Sequence, residues 1–361
     1  MGQKINPKYL EVARYLEELI KKQGLKPGDK LCSENELVNT LHITRQTVRH
    51  GIKVLEDQGL IKRVQGSGTY LNDSRQSVLL RRKRVAVVIT YEDDYIFPRI
   101  IAGIKSVMLA NEYTFDIHVT NNRIANERKI LQSIIKKDEV GGVIMEAIRS
   151  GLPNANKFLY QELKKLRIPV VFVNSYYPGL KFPHVSIDDK MAGKVVTRHL
   201  IQNGHRKIAG VFKLDDGQGH LRYAGYMQAM TEAKLAVDDE NIIWLDTEDL
   251  KRMDLIWEKI KLRIHGCTAI TCYNDEVAYE LICLFQAHGI LVPQDISIAS
   301  IDNSDLIKRS PVALTSVPHP MELLGQKAAQ NIVRMIYDPD HDGNYEFEVH
   351  VIPRQSVKKI T

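Results

Sequence analysis

The sequence predicts an α/β protein with two unequal parts, a small basic head followed by a larger body built on parallel β-sheet. The first 84 residues hold 17 Lys and Arg against 9 Asp and Glu, whereas the remainder holds 33 against 35. Apolar residues recur at helical spacing through the head, and from residue 85 onward short Val- and Ile-rich segments alternate with helical ones. A basic segment joined to a near-neutral body is typical of a protein that binds a polyanion at one end.

Composition argues against several other classes of protein. The chain of 361 residues is long enough for about two or three folded units. It has no apolar run near the roughly 18 residues of a membrane span, and the opening MGQKINPKYL lacks the apolar core of a signal peptide, so we expect a cytosolic protein without a membrane partner. Cys32, Cys267, Cys272 and Cys283 form neither a C-x-x-C pair nor a metal-binding spacing, so we expect no disulfide, metal or cofactor.

The head begins with two predicted helices. Apolar residues at helical spacing indicate the first helix, which ends near Gly24: Tyr9, Val12, Leu16, Leu19 and Ile20. The second, short helix is predicted from Ser33 to about Leu41, because Ser33 and Glu36 have the spacing of a capping box.

A third helix is predicted to begin after Thr44, a residue type that suits the N-cap position. Its apolar face carries Val48, Ile52 and Leu55, and its opposite face carries Arg45, Arg49 and Lys53. Two short helices joined by a tight turn, the second with a basic outward face, are typical of a helix-turn-helix.

A β-hairpin is predicted directly after the third helix. The β-prone segments 60–64 and 69–71 flank Gln65-Gly66-Ser67-Gly68, whose glycines allow a close approach to another surface. A hairpin in this place is the wing of a winged helix-turn-helix, which lies along the phosphate backbone or minor groove while arginines enter the major groove. The alternative is a solvated basic helix beside an ordinary hairpin. The helix caps, the tight turn, the apolar face of the third helix and the hairpin occur together, which favours the DNA-binding interpretation.

The head resembles the GntR family of winged helix-turn-helix regulators. Four segments carry the resemblance: K-P-G-x-K-L-x-S-E-x-E-L from residue 26, T-R-x-T-V-R from residue 44, L-x-x-x-G-L-I from residue 55 and Q-G-x-G-T-Y from residue 65. Cys32 stands where the family usually has proline. The resemblance implies that double-stranded operator DNA is bound by Lys8, Glu34, Arg45, Gln46, Thr47, Arg49, Gln65, Gly66 and Ser67.

The boundary between head and body is predicted in a polar and basic segment. We expect a DNA-binding domain at 1–72, a linker at 73–84 and a second, larger domain at 85–361. The linker ends in the basic run Arg81-Arg82-Lys83-Arg84, which is either a tether that follows DNA phosphates or a solvated approach to the next strand.

The body is predicted to contain two parallel sheets of about six strands each, because strand-like and helical segments alternate over its whole length. A ligand site is expected in the crevice where the carboxyl ends of both sets of strands meet. Polar residues at or near those ends are candidate ligands of a neutral polyhydroxylated molecule: Tyr91, Glu146, Asn174, Asp188, Arg222, Asn274 and Asp302. Each has a structural alternative, since Asp188 or Asp189 also suits a helix cap and the asparagines suit turns.

The body resembles the effector domains of LacI and GalR regulators, which are related to periplasmic sugar-binding proteins. I-D-D-x-x-A-G at 187–193, L-R-Y-A-G-Y at 221–226 and Y-N-D-E-V-A at 273–278 carry this resemblance. Closer motifs at 91–98, 212–219 and 315–320 are similar to those of bacterial arabinose-operon repressors. This resemblance implies that Arg222, Asn274 and Asp302 bind the hydroxyls of a sugar, and L-arabinose is the first candidate. The motifs add Lys213, Gln218 and His319 to the effector site, and Asn174 stands where many relatives have aspartate.

The two parts together predict a homodimeric, sugar-responsive transcriptional repressor that leaves its operator when the sugar binds. A dimer is expected because one small head reads too few base pairs for useful specificity. The alternatives are an activator, a regulator that answers another pentose, a hexose or a nucleoside, a transport-type sugar-binding protein, and an enzyme fused to a GntR head. Related regulators couple body to head through a hinge helix, and residues 72–84 lack that pattern, so a different linker geometry is expected.

Overall fold

The computed structural model describes residues 7–72 and 83–360. The predicted linker therefore lies outside the described residues except for Lys83 and Arg84, and Arg81 and Arg82 of its basic run lie outside them too. No helix in the described part of the chain is both long and apolar enough to cross a bilayer.

The head is a winged helix-turn-helix, as predicted. Helices α1 (Lys8–Lys22), α2 (Glu34–Leu41) and α3 (Arg45–Asp57) precede strands β1 (Ile61–Val64) and β2 (Gly68–Leu71), which pair antiparallel. The inward faces of the three helices and the hairpin bury a common apolar core: Leu10, Val12, Leu16, Ile20, Leu37, Val48, Ile52, Leu55, Ile61 and Leu71.

Local hydrogen bonds fix where the second and third helices begin. The Ser33 hydroxyl accepts from the Glu36 amide at 3.3 Å, and the Glu36 carboxylate accepts from the Ser33 amide at 2.7 Å, which is the predicted capping box. Thr44 caps α3 by accepting from the Thr47 amide at 3.3 Å. These caps fix the first turn of each helix, and burial of Val48, Ile52 and Leu55 leaves the basic face of α3 outward.

The body consists of two α/β halves. In the described part of the chain, the N-half sheet has six parallel strands: β3 (Arg84–Ile89), β4 (Thr114–Val119), β5 (Gly142–Met145), β6 (Val170–Val173), β7 (His184–Ile187) and β13 (Tyr345–Phe347). The strand order is β13-β7-β6-β5-β3-β4. Four helices of the described residues cover this sheet: α4 (Phe97–Ala110), α5 (Ile124–Lys137), α6 (Lys157–Lys165) and α12 (Met321–Tyr337).

The C-half sheet is one strand smaller than the N-half sheet within the same described residues. Its five parallel strands are β8 (Ile208–Lys213), β9 (Ile242–Leu245), β10 (Ala269–Cys272), β11 (Ser297–Asp302) and β12 (Thr315–Pro318), in the order β12-β11-β10-β8-β9. The helices are α7 (Asp189–Gln202), α8 (Gly217–Glu232), α9 (Thr247–Leu250), α10 (Trp257–Arg263) and α11 (Asp275–Ala287). The expected pair of parallel sheets is therefore present, with about six strands in one and five in the other.

The chain passes between the halves after β7, after β12 and after β13. Asp188 lies at the first of these crossings and His319 at the second. After the third, Ile352 forms a β-bridge with Ser316 of the C-half. The cleft between the halves is therefore bounded by crossing segments that can act as hinges.

Helices α4 and α12 pack against each other with their backbones in near contact. A Cβ on Gly103 would collide with the carbonyl oxygen of Glu322, and a Cβ on Gly325 would collide with that of Ile100. Glycine is required at both positions because any side chain would push the helices apart. The two helices therefore form a rigid pair.

The head rests on the far end of this helix pair. Tyr9 of α1 donates to the Asp338 carboxylate at 2.9 Å, and Gln58 donates to the Ile336 carbonyl oxygen at 2.7 Å. Arg14 of α1 donates to the Asn111 side chain, just after α4, at 3.2 Å. The head and the N-half thus share one contiguous apolar cluster that these polar contacts border.

Candidate effector cleft and DNA-binding surface

The outward face of α3 carries the side chains that suit contacts to DNA. Arg45, Gln46 and Arg49 are exposed, and the Glu34 carboxylate lies 2.9 Å from Arg49 Nε and 3.4 Å from Arg45 Nε. One carboxylate therefore orients both guanidinium groups on the same side of the head. Exposed ion pairs add little stability, so Glu34 matters here as a positioning group.

The wing is tied to α3 by an arginine that sequence analysis did not select. Arg63 of β1 donates from Nη2 to the Arg49 carbonyl oxygen at 3.2 Å. Beyond it, Gln65, Gly66 and Ser67 are exposed at the hairpin tip, where Gly66 has a φ of 76° that favours glycine. Lys8 is exposed in the first turn of α1. The predicted wing and recognition residues thus form one connected surface.

A polar cleft separates the two halves of the body. Its volume is about 100 Å³. Acids, amides and basic side chains dominate the lining: Tyr91, Asp94, Tyr95, Asn122, Glu146, Arg149, Asn174, Lys213, Asp215, Asp216, Gln218, Arg222, Tyr273, Asn274, Glu276 and Asp302. Both halves contribute to the lining, so a ligand in the cleft contacts both.

Arg222 of α8 lies at the centre of the C-half wall. Its Nε donates to Asp189 Oδ1 at 2.8 Å, its Nη1 donates to the Tyr273 carbonyl oxygen at 2.7 Å, and its Nη2 lies 3.5 Å from Asp302 Oδ1. The side chain is only 2% exposed, and the guanidinium carbon lies 4.7 Å from the centre of the Tyr273 ring. Two carboxylates and a ring thus fix a buried cation in one orientation.

Burial opposes the ionisation of the acids around Arg222. Removal from water raises the pKa of Asp302 to about 7 and that of Asp189 to about 6, although the neighbouring guanidinium lowers both. A buried carboxyl group in this state gains from any further hydrogen bond that a ligand hydroxyl supplies.

Glu146 is the corresponding buried acid of the N-half. It follows β5, accepts from the Thr90 amide at 2.9 Å and accepts from Asn174 Nδ2 at 2.7 Å. Gln218 of the C-half lies 3.5 Å from Asn174 Oδ1, so the amide of Asn174 faces both halves.

Side chains also bond directly across the cleft. Tyr95 of the N-half donates to Asp302 Oδ2 at 2.5 Å, and Ser150 donates to Asp216 Oδ1 at 2.9 Å. Asn122 Nδ2 donates to the Thr247 hydroxyl at 2.9 Å. The halves are therefore held close together around the remaining space.

Comparison with known proteins agrees with both parts of this geometry. Residues 8–71 match the family model of bacterial regulatory proteins of the gntR family, and residues 197–357 match that of a periplasmic binding protein-like domain. The arabinose metabolism transcriptional repressor of Geobacillus stearothermophilus is 33% identical over the whole length of both chains. That of Halalkalibacterium halodurans is 34% identical over 96% of this chain and 93% of its own. The chain belongs to the family of arabinose metabolism transcriptional repressors. It is a regulator and not an enzyme.

Solved structures agree with this family's fold. The transcription regulator CcpA of Lactococcus lactis is 25% identical, with a TM-score of 0.69 over 77% of this chain and 100% of that one. The complex of the transcriptional regulator CelR with cellobiose is 20% identical, with a TM-score of 0.68 over 97% of this chain and 100% of that one. At such identity the second likeness shows the fold alone.

Most of the effector residues predicted for this repressor line the cleft: Tyr91, Glu146, Asn174, Lys213, Gln218, Arg222, Asn274 and Asp302. Asp188 needs a correction. Its carboxylate accepts from the Met191 amide at 2.8 Å and caps α7, whereas the next residue, Asp189, turns inward to Arg222. Asp189 is not part of the lining itself, and it contacts the cleft residues Arg222 and Gln218 from behind.

His319 also lies outside the lining. It is buried at the crossing from β12 to α12, and neither ring nitrogen has a hydrogen-bond partner among residues 7–72 and 83–360. Burial, with a smaller effect of nearby Arg222, lowers its pKa to about 3, so the ring is neutral. In this conformation of the repressor His319 is therefore not part of the cleft lining.

Sequence analysis missed several lining residues. Asp215 and Asp216 lie in the motif at 212–219, and Tyr95 lies in the motif at 91–98. Both motifs therefore indicated the segments that hold these residues. Glu276 lies two residues after Asn274 in the motif at 273–278, whereas Arg149 stands three residues after Glu146 and belongs to none of the motifs. No group of His, Cys, Asp and Glu in the described ranges could hold a metal ion.

Glu146 is expected to make the repressor's stability depend on pH. Burial raises its pKa from 4.5 to about 7, so the folded protein keeps a proton that the unfolded chain releases in this range. The stability from this group is complete below pH 4.5 and is lost as the pH rises to about 7. Glu146→Gln should therefore remove about 3 kcal/mol of this decline between pH 4 and 8, measured by denaturant unfolding. Exposed Glu258→Gln is the control, and an unchanged pH profile in Glu146→Gln would contradict the prediction.

Proposed function

We propose that the protein represses sugar-utilisation genes by binding operator DNA as a homodimer, and that L-arabinose in the cleft releases it. The observation that carries this proposal is the buried Arg222, which donates to one carboxylate and lies beside a second in a cleft bounded by further acids and amides. Such a set brackets hydroxyl groups, which donate to carboxylates and accept from a guanidinium. The names of the full-length relatives supply the sugar and the direction of regulation.

The size of the cleft supports a pentose. A water-sized position needs roughly 10 to 15 Å³ on this measure of volume, so about 100 Å³ accommodates about seven to ten such positions. An aldopentose has about ten non-hydrogen atoms. The acids of the lining, Asp94, Glu146, Asp215, Asp216 and Glu276 among them, would repel a phosphorylated sugar, which favours a neutral ligand.

We assign the chain to a DNA-binding head at 1–72, a linker at 73–84 and an effector body at 85–361 that dimerises and acts in the cytosol. A dimer would place two α3 helices in successive major grooves about 34 to 36 Å apart, which doubles the sequence that is read. The sugar would bind one conformation of the body more tightly than another. The resulting shift between these conformations would then change the spacing of the two heads.

The deciding experiment is titration of the full-length protein with sugars on DNA. The operator is the duplex that the protein selects from a random-sequence library. L-Arabinose should release this duplex, whereas D-xylose, D-galactose, purine nucleosides and arabinose 5-phosphate should be much weaker. Release by a nucleoside or a phosphorylated sugar alone would contradict the proposed effector, and tighter DNA binding with arabinose would contradict repression by the free protein.

The DNA surface leads to a separate prediction. Arg45→Ala should cost about 1–3 kcal/mol of operator affinity and reduce discrimination between operator and random DNA, because a guanidinium in the major groove reads base edges. Lys8→Ala should weaken binding to both duplexes alike and reduce the slope of affinity against salt, because it would neutralise a phosphate. Both changes are measured by fluorescence anisotropy at several salt concentrations. Equal losses on operator and random DNA for Arg45→Ala would rule out base reading by this residue.

A further inference from the structure

Tyr95 makes the shortest side-chain contact across the cleft. It belongs to the N-half segment between β3 and α4, and its hydroxyl donates to Asp302 Oδ2, at the end of the C-half strand β11, at 2.5 Å. We propose that Tyr95 is a positioning residue that couples closure of the cleft to the DNA-binding head. This inference rests on the proposed release of the operator by sugar, and gives that release a route through the molecule.

Both partners of this bond have unfavourable backbone conformations. Tyr95 has a φ of 52°, Asp302 has a φ of 114°, and Asn303 has a φ of 47°. Residues other than glycine rarely adopt positive φ, because the side chain then crowds the backbone, and such strained conformations persist only where the surrounding structure holds them. At Tyr95 the left-handed turn directs the ring towards the C-half while Ile96 and Phe97 stay buried in the N-half core. The conformation of this segment is thus linked to the position of the other half.

The bond between Tyr95 and Asp302 is compatible with a bound sugar. A carboxylate offers about four acceptor positions, and Asp302 uses one for Tyr95 at Oδ2 and one at Oδ1 for the distant Arg222 Nη2. The remaining positions can accept from a sugar hydroxyl. Tyr95 therefore closes over the ligand on the same carboxylate that binds it, instead of competing for it.

Closure at Tyr95 moves the beginning of α4. The Phe97 amide donates to the Asp94 carbonyl oxygen at 3.1 Å, so the segment and the first turn of α4 form one unit. Since Gly103 and Gly325 hold α4 and α12 in backbone contact, a displacement of α4 is shared by α12.

The opposite end of the helix pair contacts the head. Fourteen residues of α4 span about 21 Å, and beyond them Asn111 accepts from Arg14 of α1 at 3.2 Å. Beyond α12, Asp338 accepts from Tyr9 of α1 at 2.9 Å. A rigid helix pair with the effector cleft at one end and α1 at the other carries a movement of Tyr95 to the head without needing a hinge helix.

The test is Tyr95→Phe in the full-length protein, which keeps the ring and removes only the hydroxyl. We expect it to bind operator normally without sugar, and calorimetry gives its own Kd for L-arabinose, which need not equal that of the parent. The sugar concentration for half-release of the operator, divided by the sugar Kd, should rise by about tenfold or more. Tyr223→Phe is the matched control, because this tyrosine lies outside the cleft against Phe212 and Trp244. An unchanged ratio in Tyr95→Phe would overturn the proposal.

A sugar-free measurement separates this inference from the proposed effector. Hydrogen exchange of the first-turn amides of α4 should be about tenfold faster in Tyr95→Phe than in the parent, because the segment loses its anchor on the C-half. Equal exchange would overturn the coupling role whatever the effector is. A parent protein that ignores arabinose while Tyr95→Phe shows this faster exchange would contradict only the proposed effector.

Discussion

Arg222→Ala is expected to lower the free energy of unfolding by about 3–5 kcal/mol and to abolish release of the operator by arabinose. The stability loss follows because Asp189, which is 2% exposed, would keep a buried carboxyl group without the guanidinium that now lies 2.8 Å away. The loss of release follows because the same guanidinium is the fork-shaped donor that we assign to the sugar hydroxyls. Operator affinity without sugar should stay at the parental value. Denaturant unfolding and anisotropy titrations measure the two effects.

A second variant separates the stability effect from the sugar effect. Asp189→Asn combined with Arg222→Met replaces the buried ion pair by neutral groups of similar volume, and such replacements are often neutral or stabilising. The double variant should therefore recover most of the lost stability while remaining insensitive to arabinose. If the double variant releases the operator with sugar, Arg222 contributes only to stability and does not bind the sugar. Release by Arg222→Ala at parental sugar concentrations would lead to the same conclusion.

The parts of the fold that sequence analysis predicted are those in which local chemistry decides the structure. The capping box at Ser33 and the cap at Thr44 are present as predicted, because each depends on residues within one turn. Strands β7, β9, β12 and β13 were not predicted individually. Tyr345–Phe347 is three residues long and largely exposed, so its place in the N-half sheet depends on β7, to which the chain returns only after the whole C-half.

Sequence analysis likewise identified some side chains of the cleft and missed others. Strand-end positions led to Asn274 and Asp302, which line the cleft because the carboxyl ends of parallel strands converge there. Arg222 lies within a helix, and the motif at 221–226 led to it. The choice between Asp188 and Asp189 depends on which of two adjacent carboxylates caps α7, and sequence spacing is the same for both within one residue. The motif at 91–98 contains Tyr95 but does not reveal its contact with Asp302, because that contact depends on the angle between the halves and on a left-handed turn that tyrosine rarely adopts.

A buried network behind the cleft leads to the second large effect. Glu127 of α5 is 0% exposed and accepts from Tyr160 at 2.6 Å, from Tyr177 at 2.8 Å and from Asn156 Nδ2 at 2.6 Å. The Tyr177 hydroxyl also accepts from the Ile148 amide at 3.0 Å. Glu127 therefore holds, through Tyr177, the segment after β5 that presents Arg149 and Ser150 to the C-half.

Glu127→Ala should lower the free energy of unfolding by about 3 kcal/mol or more, since Tyr160 and Asn156 each lose a buried acceptor at about 1–3 kcal/mol and Tyr177 keeps only the Ile148 carbonyl oxygen. Its sugar affinity should also fall by about tenfold, because the segment at 147–156 loses its anchor and Ser150 no longer fixes Asp216. Glu127→Gln keeps one acceptor oxygen and should lose less of both. Glu162→Ala, which removes an exposed ion pair with Lys165 in the same half, is the control and should stay within about 0.5 kcal/mol of the parent. Thermal unfolding and calorimetry measure the two losses, and a Glu127→Ala protein as stable as the control would show that the tyrosines find other acceptors.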